Sequence, residues 1–181
     1  MSDVYKQYQP PVSGGLFLKL EEGDAVKIRI ASQPYIFNNE YKGQVSTRYA
    51  WVVYNYDQER AQIFHQGVTG YRTIANLASD PDWGDPSGFD VRVSRHGLGT
   101  DTKYNITPLP SKADLDDKQT SAVNEVDLPK HVSGAILLSE FVGGKGLPET
   151  EQSGDSQESD IELDVEDDGY FESLLDDEPQ P

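Results

Sequence analysis

The chain contains no cysteine, one methionine and three histidines in 181 residues. Without cysteine there are no disulfides and no thiolate metal sites, which fits a reducing compartment. No apolar run approaches the roughly 18 residues that a membrane span needs, so none is expected. The opening M-S-D-V-Y-K-Q-Y lacks the apolar stretch of a signal peptide, and the expected setting is the cytoplasm. Metal chemistry finds little purchase. His65, His96 and His131 stand far apart, and D-P-D-W-G-D (80–85) lacks the spacing and closing Glu of an EF-hand loop. No Ser-His-Asp or paired-carboxylate signature stands out, so the expectation is a non-enzymatic protein with no cofactor and no metal.

Basic residues are also absent from one long stretch. Residues 149–181 carry 14 acids and no base, whereas residues 1–148 hold all 15 Lys and Arg beside 18 acids. The net charge of −17 is therefore mostly a property of the C-terminal segment. Between Ala25 and Tyr104 there are 9 bases and 8 acids, a nearly neutral body with a strongly acidic tail. The division read from composition is a flexible N-terminal segment (1–15), a folded domain (16–147) and a disordered acidic tail (148–181).

What is present in the body is period-two alternation. V-K-I-R-I-A (26–31) places Val26, Ile28 and Ile30 on a core face with Lys27 and Arg29 outward. Residues 33–46 read as a loop rich in aromatics and containing Lys42. T-R-Y-A-W-V-V-Y-N-Y (47–56) is a strong strand, with Tyr49, Trp51 and Val53 on one face and Arg48, Ala50, Val52, Tyr54 and Tyr56 on the other. A turn at 57–59 leads to a third strand, 60–64. The period then changes: Val68, Tyr71, Ile74, Ala75 and Ala78 recur at helical spacing. F-D-V-R-V-S-R (89–95) and T-K-Y-N-I-T-P (102–108) alternate again. Residues 113–126 have helical character, and A-I-L-L-S-E-F-V (135–142) is apolar enough to dock on the body.

Five short strands with one helix between the third and fourth is the layout of an OB-fold, a mainly β, five-stranded Greek-key barrel that holds oligonucleotides against one face and two flanking loops. An open α+β sheet with one helix fits the same pattern. In the barrel reading, aromatic and basic residues gather where single strands would lie. Stacking falls to Tyr35, Tyr41, Tyr54 and Tyr56, with Trp51 beside them, and phosphate contacts fall to Lys42, Arg48, Arg92, Arg95 and Lys103. Such a mixture suits sequence-tolerant binding, because every base has a π-face and every nucleotide a phosphate. The bland reading of strand aromatics is core packing, and it is favoured for Tyr49, Trp51 and the helical Tyr71.

The succession I-F-H-Q-G (63–67), a helix, D-P-D-W-G-D-P-S-G-F-D-V-R-V-S-R (80–95) and T-D-T-K-Y-N-I-T-P (100–108) resembles phage-type single-stranded DNA-binding proteins over about 25–110, and the acidic tail matches the same plan. The resemblance implies an OB-fold, binding of single strands, and roles in DNA replication, recombination and repair in a host cytoplasm. Two departures stand out. Some relatives hold zinc through Cys and His, and this chain has no Cys. Many relatives end on or beside an aromatic residue, and here the last three are Pro-Gln-Pro.

Within the acidic tail, Tyr170, Phe171, Leu174 and Leu175 lie at i, i+1, i+4 and i+5. That spacing puts them on one side of a helix if the segment folds on a replication or recombination protein. The tail's acids would compete with DNA for the basic residues. The alternative function is a protein-interaction adaptor whose tail mimics nucleic acid. Whether the chain forms a homo-oligomer is left open by the sequence.

Overall fold

The computed structural model describes residues 15–110 and 113–147. They form a mainly β unit built on one open antiparallel sheet of seven strands. The strands are β1 (Ala25–Ile30), β2 (Tyr35–Tyr41), β3 (Gln44–Asn55), β4 (Arg60–Gln66), β5 (Asp90–His96), β6 (Lys103–Pro108) and β7 (Ile136–Leu137). Helix α1 (Val68–Ser79) separates β4 from β5, and α2 (Asp117–Asn124), α3 (Leu128–His131) and α4 (Leu138–Val142) follow β6. The sheet order is β6-β5-β1-β3-β2-β7, with β4 on the far edge of β3. Among the described residues no pairing joins β4 to β6. The free edge of β4 is taken instead by residues 16–18: Leu18 N–H donates to the Ile63 carbonyl at 2.8 Å, and Ile63 N–H donates to the Leu16 carbonyl at 2.7 Å. Such cover protects an edge from pairing with another chain. Helix α1 packs against β3, β4 and β6.

The alternation in the sequence places the core as expected. Val26, Ile28, Ile30, Trp51, Val53, Phe64, Ile74, Phe89, Val91, Val93 and Ile106 form one buried cluster. Tyr71 of α1 stacks on Tyr49 with ring centres 4.1 Å apart, and Tyr104 packs against the same cluster.

Three expectations from the sequence are corrected. Residues 33–46 are not a loop: β2 and β3 form a hairpin in which Tyr41 faces Gln44 across the two-residue turn Lys42–Gly43. Both turn residues have positive φ, 50° and 78°, as a type I′ turn requires, and this turn matches the twist of its strands. Pairing of β7 with β2 stops at Ile36, and pairing of β4 with β3 stops at Tyr49. The outer part of the hairpin, 37–48, is thus a two-stranded arm beyond the rest of the sheet.

The second correction concerns the other face of β3. Residues 113–137 return across it, so Ala50, Val52, Tyr54 and Ile63 form a second buried cluster with Val123, Leu128, Val132 and Ala135. The central strand is therefore buried on both faces. The start of α2 is fixed by a capping box, in which Asp116 accepts from Gln119 N–H at 2.7 Å and the Gln119 side chain accepts from Asp116 N–H at 3.0 Å.

Arg29 was expected to face solvent, but it and Asp90 are both buried, at 2% and 1% exposure. They sit directly across from each other on β1 and β5. Arg29 Nε donates to Asp90 Oδ1 at 2.8 Å, Nη1 donates to the Ser87 carbonyl at 3.1 Å, and Nη2 donates to the Ala113 carbonyl at 2.8 Å. Asp90 also receives Lys27 Nζ at 2.8 Å and the Tyr56 hydroxyl at 2.9 Å. Removing one partner of a buried pair strands the other charge. Asp90→Ala is expected to lower stability by about 3–5 kcal/mol, and the apolar pair Arg29→Met/Asp90→Leu to recover part of that loss. Urea unfolding midpoints measure both; a midpoint unmoved by Asp90→Ala would contradict this account.

Candidate functional site

The residues that the sequence nominates for a binding surface divide in the structure into three groups. The first is buried. Trp51 is 2% exposed and sits in the main core against Phe64, with ring centres 6.1 Å apart. Tyr54 is 5% exposed and lies under the C-terminal layer, where burial pushes its phenol up. Both expectations of surface contact are therefore corrected: Trp51 is core because it shares a face with Val53, and Tyr54 because residues 113–137 cover its face. Tyr35 is half-buried against the same layer. Its phenol is raised first by burial and then by the charges of Asp127 and Glu140.

The second group has structural partners. Tyr56 is half-buried, makes an edge-to-face contact with Tyr54 at 5.3 Å, and supports Lys27 Nζ at 4.5 Å from its ring centre. Arg95 was expected to reach outward for phosphate. It lies instead beside Tyr104 in the β5–β6 register. Its Nη1 donates to the Leu20 carbonyl at 2.6 Å and its Nη2 to Thr102 Oγ1 at 3.3 Å. Its work is to hold the β5–β6 connection against the segment before β1. That connection turns on Gly97, whose φ is +84° and where a Cβ would come within 2.3 Å of the Asp101 carbonyl oxygen.

The third group is accessible and occupies two places. One is the arm. Tyr41 is 38% exposed, Lys42 sits at the tip with Nζ 5.1 Å from the Tyr41 ring centre, and Arg48, half-buried, stands opposite Phe37. The other is the outer face of β5 and β6, where Arg92 and Lys103 are both exposed. Cross-strand register sets Lys27, Arg92 and Thr107 in one row and His96 and Lys103 in another. Lys27, His96 and Thr107 were not nominated from the sequence; the alternation of the three strands carried the signal, since paired residues share a face.

Among the described residues no group of three His, Asp or Glu side chains could hold a metal ion, and no helix is long and apolar enough to cross a membrane. Tyr170, Phe171, Leu174 and Leu175 lie outside the described residues, as does the rest of 148–181. No model of a known protein family matches the chain, and neither do curated proteins or solved structures.

The chemistry of Tyr56 gives a test of this geometry. Burial, then the hydrogen bond to Asp90 and its charge, push the phenol up to about 12 from 10.0. The fold favours the neutral form, so this contribution to stability is whole below about pH 10 and is lost as pH rises from about 10 to about 12. Tyr56→Phe has no proton to lose and should show a shallower fall in stability across that window. Equal slopes for the two proteins would place Tyr56 outside the network.

Proposed function

We propose that this chain is a non-enzymatic, largely sequence-independent single-stranded DNA-binding protein. It would protect exposed strands during replication, recombination and repair, with an acidic C-terminal segment that competes with DNA and recruits partner proteins. The observation that carries the reading is the arm, which presents an exposed aromatic ring and a cation together at the tip of a hairpin. A base stacked on such a ring contributes roughly 1–3 kcal/mol, and cations beside it neutralise phosphate.

The pairing scheme supports an OB-like reading of the body. β1 pairs β3 and β5, β3 pairs β4, and β5 pairs β6, with one helix between β4 and β5. These are the neighbours of a five-stranded Greek-key barrel without its closing pair, and α1 reaches strands at both of the unclosed edges. The resemblance in 63–108 to phage-type single-stranded DNA-binding proteins points the same way.

Titration with oligo(dT), followed by intrinsic Tyr and Trp fluorescence, tests the proposal. Binding should be tight at low salt and fall linearly in log–log form as salt rises. Tyr41→Ala should cost about 1–3 kcal/mol irrespective of base sequence. Truncation after residue 148 should raise affinity, because it removes 14 acids and no base. Absence of binding at low salt by both the full chain and the truncated one would sink the reading. Binding that ignores salt would favour the protein-adaptor alternative.

A further inference from the structure

The outer surface of the sheet has two regions with opposite fates. Over β3 and β4 it is closed by residues 113–137, so a ligand cannot reach Tyr54 or Val52 there. Over β1, β5 and β6, among the described residues, Ser87 and Ala113 cover the Arg29–Asp90 end, while Arg92, His96, Lys103, Asn105 and Thr107 are all exposed. Ser94, half-buried, completes the surface and lies opposite Asn105.

Its composition is unusual for this chain. The protein has 32 acids, yet among the described residues the only acid on this face of the three strands is Asp90, which is 1% exposed and already neutralised by Arg29 and Lys27. Asp24, Asp57 and Asp101 stand in the connections at the strand ends. On this face of β5 and β6 the side chains Arg92, Ser94, His96, Lys103, Asn105 and Thr107 are cations, an imidazole or neutral hydrogen-bonding groups. Ser94 Oγ and His96 Nε2 are 3.2 Å apart, so they form one polar unit between the rows.

The spacing is regular. Same-face residues along a strand recur every two positions, about 6.8 Å, and adjacent strands lie about 4.8 Å apart. Arg92 and Lys103 therefore present two cations in successive strands, separated by the Ser94–Asn105 row. At roughly 14 Å, two same-face steps along the strands and one across, that separation suits phosphates that are not immediate neighbours on an extended strand. Lys27 borders the track but spends its charge on Asp90 at 2.8 Å and on the Tyr56 ring. No exposed aromatic ring lies on this face, so the surface reads charge and not bases.

We infer that this face of β1, β5 and β6, whose strands carry no exposed acid among the described residues, is a phosphodiester track, on which Arg92 and Lys103 hold the backbone of a single strand. It lies away from the face of β3 and β4 that the C-terminal layer closes. The inference rests on the single-strand reading and assigns that reading a second contact surface besides the arm.

The test is the salt dependence of oligo(dT) binding by the full chain, read by fluorescence anisotropy. Each phosphate contact on a single strand contributes about 0.7 to the slope of log affinity against log salt. Arg92→Ala/Lys103→Ala should make the slope shallower by about 1.4, the sum of two such contacts. Asn105→Lys, which adds a cation in the row between Arg92 and Lys103, should steepen it by about 0.7 and tighten binding. A merely structural role would not produce opposite shifts, and unchanged thermal unfolding of the variants excludes a folding defect. If wild type binds and Lys42→Ala weakens it, while the Arg92/Lys103 and Asn105 variants keep the wild-type slope, the track is overturned and the arm alone carries the strand. If the double variant binds DNA more tightly than wild type, the track is likewise overturned, and the face belongs to the chain's own acidic segment. Failure of wild type to bind at any salt removes the single-strand reading itself.

Discussion

The ion pair between Arg29 and Asp90 is the constraint on which the arrangement of the domain depends. Arg29 occupies an outward position on β1, where a cation would ordinarily be solvated. Here its guanidinium reaches Asp90 on β5, the Ser87 carbonyl before β5, and the Ala113 carbonyl where the chain starts back over the sheet. One planar group with donors fixed in a fork thus ties together three segments far apart in sequence. Taking both charges out of water is costly, and a buried pair is weak evidence for net stability. Its effect is better seen in register. Arg29 and Asp90 are direct cross-strand partners, and a slip of one residue would turn Asp90 to the opposite face and leave Arg29 buried without its anion.

From that anchor the path of residues 113–142 follows, and with it the location of any binding surface. The returning layer lays Val123, Leu128, Val132 and Ala135 over Ala50, Val52, Tyr54 and Ile63. Burial of this second apolar face competes directly with use of the same face for ligand. Tyr54 cannot both pack under α2 and stack on a base. The accessible chemistry is displaced to the arm at one end of β3 and to the uncovered part of the outer surface of β1, β5 and β6.

Much of the fold was legible in the sequence because it is local. The period-two runs of β1, β3, β5 and β6 and the helical period of α1 each report a single element, and the structure places those elements within a few residues of the expected bounds. The double burial of β3 depends on contacts with residues 70 positions away, which alternation cannot encode: it says which side chains share a face, not whether something covers that face. A signal did exist. A-W-V-V-Y-N (50–55) is a near-continuous apolar run, which marks a strand buried on both faces and not a half-exposed one. The hairpin of β2 and β3 was hidden differently. Asn38, Asn39 and Glu40 depress strand propensity, and its turn is Lys-Gly, weaker as a hairpin signal than Asn-Gly. Arg29 misled for a third reason: an outward position on a strand is outward only until another segment crosses it.

Charge placement bears on how an acidic protein could hold an anion at all. The net charge of −17 gives a repulsive field at long range, but most of that charge belongs to residues 149–181. At physiological ionic strength exposed charges are screened beyond about 8 Å. What a bound strand would meet is therefore the local surface and not the total. On the outer face of β5 and β6 the local surface holds Arg92 and Lys103 and no exposed acid. At low salt the screening length grows and the acidic segment is felt across the whole domain, so the full chain gains less affinity there than residues 1–148 alone. Salt then acts twice and with opposite sign, weakening phosphate contacts and relieving repulsion by the tail. The measured slope for the full chain should consequently understate the number of phosphates held, and the shortfall should vanish when residues 149–181 are removed.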